Sequence, residues 1–244
     1  MSDHHVIEAQ LHGKGGQLLG KYLPEFVYGG MDGCVTTFAV VAGSAGAGLS
    51  TNIVLILGFA NLIADGFSMS VGNYLSANAE RDRYYRHKRV ERWEVDHLPE
   101  AEKQEIREIY EQKGLSGPVL NEVVDIITSN KERWVNEMMH SELGMSPPDK
   151  IPMRTATMTF LSFNLMGLVP LLVYIGDALL QFDQSLLFPM ASVLTALGFV
   201  TIGWLKGLVN RSKRFRSIAQ TLLLGLAAAV LAYVAGAVLE RILS

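Results

Sequence analysis

The chain has 244 residues, of which 49% carry apolar side chains, and its formal net charge is -3. This composition excludes a disordered chain, and the slight acidic excess excludes a typical nucleic-acid binder. The charge is unevenly distributed, since 15 of the 24 acidic and 11 of the 21 basic residues lie in 77–144. The sequence therefore predicts a membrane protein with one soluble insert, and its single cysteine, Cys34, allows no disulfide framework.

Five stretches are apolar over the roughly 20 residues that a membrane-crossing helix needs. They are approximately 26–47, 52–76, 155–178, 185–205 and 217–239. The connections after the first and third spans lack Lys and Arg, whereas the fourth connection and the insert are rich in both. By the positive-inside rule, we predict that residues 1–25 and 77–150 are cytoplasmic and that the C-terminus lies on the opposite side. The N-terminal residues lack a signal-peptide pattern, which favours a bacterial inner membrane.

The first two spans each carry a carboxylate inside an apolar run. Asp32 lies in YGGMDGCVTTF and Asp65 lies in LIADGFSMSVGNY. On a helix, Asn61, Asp65, Met69 and Asn73 are four residues apart and form one polar stripe. A charge at the bilayer centre costs about 2.5 to 3.5 kcal/mol, so we expect the stripe to face a partner or a water-filled path. The alternative is that both aspartates are helix-end residues near the membrane surface.

Small side chains repeat beside the polar stripe and form what we call the small-residue face: Ala60, Ala64, Ser68, Gly72 and Ser76. Small residues at this interval let another membrane helix approach closely.

No His, Lys or Arg lies inside any of the five spans, so proton coupling within the membrane has to use carboxylates, whose protons compete with bound metal. A thioether one turn from a carboxylate favours a transition metal, which makes Met69 a candidate ligand.

The insert is predicted to contain three helices, because its apolar residues recur at helical spacing and helix breakers divide it. The first continues from the second span and ends before Pro99. The second covers about 99–113 and the third about 118–143. The predicted inner face of the third helix consists of Val119, Val123, Ile126, Ile127, Trp134 and Met138.

Potential metal ligands share helix faces within the insert. The pairs are Glu91 with Glu94, Glu102 with Glu105, and Met138 with Glu142. If the three faces converge, they form an oxygen-rich pocket with one thioether, which suits Fe²⁺ or Mn²⁺. The alternative is a solvated surface with many ion pairs, since Arg92, Lys103 and Arg107 are interleaved with the acids. Spacing alone favours the solvated surface.

A second pattern competes for the same stretch. Glu94 and His97, and likewise Glu137 and His140, have the Glu-x-x-His spacing of ferritin-like di-iron proteins. This pattern predicts a membrane-anchored di-iron carboxylate oxidase or an iron store. The match is weak because His97 lies two residues before Pro99, where helical geometry fails. A metal sensor that binds ions without moving them is a third hypothesis.

The ordered set of motifs resembles one known family. MDGCVTTFAVVAG, ADGFSMSVGNYLS and WVNEMMHSELGM follow one another between five spans, and from Tyr28 onward the chain resembles the vacuolar iron transporters. The resemblance implies an all-α membrane protein with five transmembrane helices and a three-helix cytoplasmic metal-binding insert between spans 2 and 3. It implies a homodimeric transporter, with no enzymatic activity and no prosthetic group. Such a protein exports Fe²⁺, and often Mn²⁺, against protons through a pore between subunits.

The resemblance also implies site residues. It places the membrane metal site on Asp32 and Met69. It places the cytosolic metal pocket on Glu91, Glu94, Glu102, Glu105, Met138 and Glu142, which reverses the preference from spacing alone. Many family members carry Glu where this chain has Asn73, and many lack an acid at Asp65. Proton coupling is therefore expected to involve Asp32, Asp65 and Asn73, with Asp65 substituting for that glutamate from two turns away.

Overall fold

The computed structural model describes residues 14–243, with side chains from residue 20 onward, and all regular structure within these residues is helical. Five helical segments are long and apolar enough to cross a membrane, which confirms the predicted number of spans. The described chain divides into two compact units, residues up to 74 together with those from 151, and residues 75–150. We call them the membrane unit and the insert.

The helices follow one another with short connections. In chain order they are α1 (Lys14–Gly46), α2 (Thr51–His97), α3 (Pro99–Gln112), α4 (Gly117–Thr128), α5 (Lys131–Ser141), α6 (Pro152–Gly167), α7 (Leu172–Leu180), α8 (Gln184–Val209) and α9 (Arg214–Leu243). α2 is one unbroken helix, as predicted, and it ends just before Leu98 and Pro99. Residues 14–25 belong to the same helix as the first span, residues 1–13 lie outside the described residues, and the cytoplasmic assignment of 1–25 stays a prediction.

The third span differs from its prediction as one helix over 155–178. It consists of α6, a short 3-10 turn at Val169–Leu171, and α7. Pro170 lies in that turn. Proline has no backbone N–H, and its ring clashes with the preceding turn, so a regular α-helix does not pass through it. The apolar run predicted the crossing, and the proline interrupts it.

α1 is the central helix of the membrane unit and packs against α6, α8 and α9. Its close approach to α6 depends on Gly33, because a methyl group there would collide with the backbone of Phe163. The apolar part of α2 is much less covered, with Ile63 63% and Phe67 64% exposed. One side of α2 therefore lacks a partner within the described chain. α1, in contrast, is packed against three other helices.

The insert contains one helix more than predicted, because the stretch 118–143 forms α4 and α5 instead of one helix. The break lies at Asn130, whose backbone is extended and whose side chain accepts a hydrogen bond from Arg133 N at 3.0 Å. Such an amide cap satisfies a free N–H at the start of α5. The Arg133 guanidinium donates in turn to the carbonyl oxygens of Ile126 and Ile127 at the end of α4.

The predicted inner face of this stretch is partly wrong. Val119 is 56% exposed and Ile126 is 52% exposed. The residues of α4 that are buried are Leu120, Val124 and Ile127. Apolar residues stand in adjacent pairs along α4, so two helical faces are about equally apolar, and packing selects one of them. Trp134 and Met138 on α5 are buried as predicted.

Candidate metal sites

The polar stripe of α2 includes two amides that bind neighbouring helices of the membrane unit. Asn61 Nδ2 donates to Thr36 Oγ1 of α1 at 3.4 Å. Asn73 Nδ2 donates to Thr159 Oγ1 of α6 at 2.8 Å. Met69 is half-buried and packs against the core of this unit. The bond to Thr159 gives Asn73 a structural task. An amide does not titrate, and a part for Asn73 in proton coupling stays a prediction.

Two carboxylates of the membrane unit lie close to each other. Asp32 on α1 and Asp65 on α2 are both exposed, and their negative charges repel each other. Asp32 lies in the middle of α1 and Asp65 in the apolar part of α2, so neither aspartate is at an end of its helix. Met69 follows Asp65 by one helical turn. An acid pair and a thioether therefore occupy neighbouring turns of two membrane helices.

The small-residue face of α2 has no partner within the described chain. Its five members, from Ala60 to Ser76, are all exposed. A methyl group at Gly72 would meet no atom within 4 Å. Since small side chains at this spacing admit a second helix backbone, the face has the shape of a helix contact. Asp65 directly follows Ala64, so its carboxylate borders this face.

The six residues predicted from the insert lie on α2, on α3 and at the end of α5, at different depths. Glu91 and Glu102 are each only 4% exposed. Glu94 and Glu105 are half-buried and Glu142 is exposed. Met138, one turn before Glu142, is fully buried. The most deeply buried acids thus come from two different helices.

Burial and the negative charges of neighbouring glutamates raise the pKa of Glu91, Glu102 and Glu142. Burial is the main cause at Glu91, whose pKa rises to about 7. Smaller contributions at Glu91 come from the charges of Glu142, Glu102, Glu94 and Glu105. The pKa of Glu102 rises to about 7 for the same two reasons, and its Oε2 atom, like that of Glu91, is buried without a hydrogen-bond partner in the described structure. Five glutamates therefore share one region of strong negative potential.

The basic residues interleaved with these glutamates bind other partners. Those partners are Glu132 for Arg92, Asp125 for Lys103 and Asn121 for Arg107. No ion pair among the described residues involves any of the five glutamates. Two of the three interleaved basic residues, Arg92 and Lys103, therefore form ion pairs, but with acids other than the five glutamates.

No three His, Cys, Asp or Glu side chains of the described residues are arranged to hold one metal ion together. The Glu-x-x-His sequences make other contacts. His97 is exposed and stacks on Trp93, with ring centroids 4.5 Å apart. Glu137 accepts hydrogen bonds from Tyr110 Oη at 3.0 Å and from Lys113 Nζ at 3.4 Å. None of these contacts favours a di-iron centre.

A cavity of about 500 Å³ lies between α1, α8 and α9. Its lining is almost entirely carbon and includes Phe38, Phe199 and Tyr233. None of the lining residues carries a carboxylate, and hard divalent cations require oxygen ligands. This cavity is therefore not a candidate ion site.

Sequence reasoning gave no role to Asp177, which is 5% exposed at the end of α7. Thr51 Oγ1, at the start of α2, donates to its carboxylate at 2.5 Å, and Phe182 N donates to it at 2.9 Å. Asp177 therefore connects the start of α2 to the α7–α8 connection. No spacing pattern marks this role, because Thr51 lies 126 positions away along the chain.

Comparison with known proteins decides the family. A family model described as the VIT family matches residues 23–237. The chain belongs to the VIT family. The match extends through the membrane unit and the insert, so the two units belong to one family architecture.

Proteins similar to this VIT-family chain are named as iron transporters. The vacuolar iron transporter of Toxoplasma gondii is 37% identical over 227 residues, which cover 91% of this chain and 75% of that protein. Vacuolar iron transporter 1 of Oryza sativa subsp. japonica is 36% identical over 215 residues, 88% of this chain and 84% of the relative. Vacuolar iron transporter 1 of Arabidopsis thaliana is 32% identical over 224 residues, 91% and 88% of the two chains.

Proposed function

We propose that this VIT-family chain moves Fe²⁺, and also Mn²⁺, out of the cytosol in exchange for protons. The observation that carries the proposal is the pair of exposed carboxylates, Asp32 and Asp65, within apolar helices and beside the small-residue face. A lipid-facing charge would cost about 2.5 to 3.5 kcal/mol, so such a pair favours an ion route. The names of the relatives support iron as the transported ion.

Within the membrane, Asp32 and Met69 bind the ion, and Asp32 and Asp65 carry protons, while Asn73 holds α2 against α6. A carboxylate oxygen combined with a thioether suits Fe²⁺ and Mn²⁺ better than Mg²⁺ or Ca²⁺. A metal ion binds the deprotonated carboxylate, so metal binding releases a proton. Exchange results when protons re-enter from the opposite side of the membrane.

The insert serves as a loading site that collects cytosolic ions. Its ligands are Glu91, Glu94, Glu102, Glu105, Met138 and Glu142. The support is electrostatic, because Glu91 and Glu102, whose pKa values are raised by burial and by neighbouring negative charges, gain most from a divalent cation. Like charges hold the carboxylates apart, and a cation between them would draw them together.

A homodimer with the ion route between its subunits accounts for the uncovered surface of α2. The small-residue face, Asp32 and Asp65 are exposed on one chain. A second copy of the same helices would cover this surface and surround the carboxylates with protein instead of lipid.

Gly72→Leu is expected to convert the dimer into monomers in mild detergent, because the added side chain fills the space that a second backbone needs. The fold of the single chain should not change, since no atom lies within 4 Å of the position. Light scattering coupled to size-exclusion chromatography measures the mass. Ala235→Leu, at an exposed small residue of α9, is the matched control and should stay dimeric. A dimeric Gly72→Leu protein would exclude this face from the interface.

The proposed orientation places residues 1–25 and 77–150 in the cytoplasm and the C-terminus on the opposite side. The basic residues of the insert and of the α8–α9 connection support it through the positive-inside rule. This orientation fits a bacterial inner membrane, with metal leaving the cytosol.

Proteoliposomes that contain the full chain, a metal-sensitive dye and a pH-sensitive dye test the proposal. We expect Fe²⁺ and Mn²⁺ to cross, Mg²⁺ and Ca²⁺ to be excluded, and an imposed pH gradient to accelerate metal movement while protons cross in the opposite direction. Metal binding without flux would identify a sensor instead of a transporter. Flux that does not respond to the pH gradient would rule out proton exchange.

A further inference from the structure

The connection between α8 and α9 carries a dense positive charge. We call Lys206, Arg211, Lys213, Arg214 and Arg216 the basic cluster. All of them except the half-buried Lys206 are exposed. None forms an ion pair with another residue that the structure describes. The sequence contains no acidic residue between Asp183 and Glu240, so α8 and α9 cannot supply a nearby counter-charge.

The start of α9 adds to this positive potential. α9 begins at Arg214, and its first turn contains no acidic residue. The N-terminus of a helix carries a partial positive charge and free N–H groups, so cations there are unfavourable and an anion is favourable. Arg214 and Arg216 therefore lie in the first turn of a 30-residue helix, where a negative group would be more favourable than a cation.

Aromatic side chains beside the cluster indicate its depth in the membrane. Phe215 is 85% exposed and Trp204 is 44% exposed. The Arg214 guanidinium lies over the Trp204 ring, 5.7 Å from its centroid. Exposed aromatic and basic residues at the end of a membrane helix lie at the level of the lipid head groups. The uncompensated charge is thus located where phospholipid phosphates are found.

The connection is also held against the central helix of the membrane unit. The Asn210 side chain and the Tyr28 hydroxyl of α1 are hydrogen-bonded, with Asn210 Nδ2 donating at 3.2 Å. This bond ties the α8–α9 connection to α1 beside the basic cluster. A connection held in this way loses less conformational freedom when a lipid binds.

We propose that the basic cluster binds the phosphate head group of an anionic membrane phospholipid, with Trp204 and Phe215 flanking the site at the membrane interface. The ligand class follows from charge complementarity, because five cations without acidic partners face the layer where anionic head groups lie. Basic residues next to a membrane helix are a general means of recognising such lipids. Its basic residues are not among the carboxylates proposed for the ion route.

The test measures lipid binding to the full chain in detergent by native mass spectrometry. Phosphatidylglycerol and phosphatidylcholine with the same acyl chains are the two probes. We expect preferential binding of phosphatidylglycerol that weakens with rising salt. Lys213→Gln with Arg216→Gln should lower the affinity for phosphatidylglycerol about 30-fold. Each basic residue near an anionic surface contributes roughly fivefold, and the variant removes two of them. The three remaining basic residues preserve the charge bias that sets the topology.

The matched control is Arg86→Gln with Arg89→Gln, which removes two exposed cations from α2 beyond its apolar part. The control should bind phosphatidylglycerol as the wild type does. Equal loss in both variants would show a non-specific effect of net charge and overturn the proposal. So would equal binding of the two lipids by the wild type, or displacement of the lipid by the same concentration of inorganic phosphate. Arg211→Gln with Lys213→Gln provides a second variant if the first melts at a lower temperature.

Discussion

Asp32→Asn is expected to abolish metal transport in proteoliposomes while the protein stays folded. The amide keeps the size of the side chain but loses the negative charge and the proton that exchange requires. Even changes to residues around metal ligands cost 10–100-fold in affinity, so loss of a ligand should reduce flux by about 100-fold or more. The fold should tolerate the change, because Asp32 is exposed. The neighbouring charge that acts on its carboxylate is that of Asp65, and it is repulsive.

Metal flux and thermal unfolding are measured on the same preparation. Glu240→Gln is the matched control, since Glu240 is an exposed carboxylate near the end of α9. It should transport at the wild-type rate. Wild-type flux through Asp32→Asn would remove this carboxylate from the ion route, and the proposed mechanism with it. Loss of flux accompanied by a large fall in melting temperature would instead show a structural role.

Glu91→Gln combined with Glu102→Gln is expected to weaken Fe²⁺ and Mn²⁺ binding to the insert by more than about tenfold, because it removes the two most buried ligands. In the wild type, metal affinity should rise with pH through about 7, since both carboxyls must lose a proton to bind the ion. The variant should lose most of this pH dependence. Titration calorimetry on the full chain, at pH values on both sides of 7, measures both effects.

The same two residues predict a change in stability. Their pKa values in the folded chain, about 7, lie above the ordinary value of 4.5, so folding favours the protonated form. The stability that they contribute is fully present below about pH 4.5 and is lost as the pH rises through about 7. Above that pH the double variant should be more stable than the wild type in the metal-free state. Thermal unfolding across this pH range measures the difference.

Glu108→Gln with Glu111→Gln is the matched control for both effects, because it removes two exposed acids from α3. It should retain wild-type metal affinity and the wild-type dependence of stability on pH. If the Glu91 and Glu102 variant binds metal as tightly as this control, the acidic cluster is not the loading site.

Several features of this protein depend on local composition and could be predicted from the sequence. The five spans follow from apolar length, and the continuity of α2 follows from the absence of a breaker before Leu98 and Pro99. The pairing of Glu91 with Glu94, and of Glu102 with Glu105, follows from helical spacing. The break at Asn130 was not predicted, since it depends on the Asn130 side chain capping the next helix and on Arg133 closing the preceding one.

Only the tertiary structure decided which faces are covered. The two apolar faces of α4 are equivalent in the sequence, and packing buried Leu120 while leaving Val119 exposed. Asn73 and Asp65 lie on one stripe, yet Thr159 binds the amide and the carboxylate stays uncovered. The physical reason is that spacing along a helix depends on residues a few positions apart. Burial, hydrogen bonding and the pKa of a carboxyl depend on neighbours that are distant in the chain.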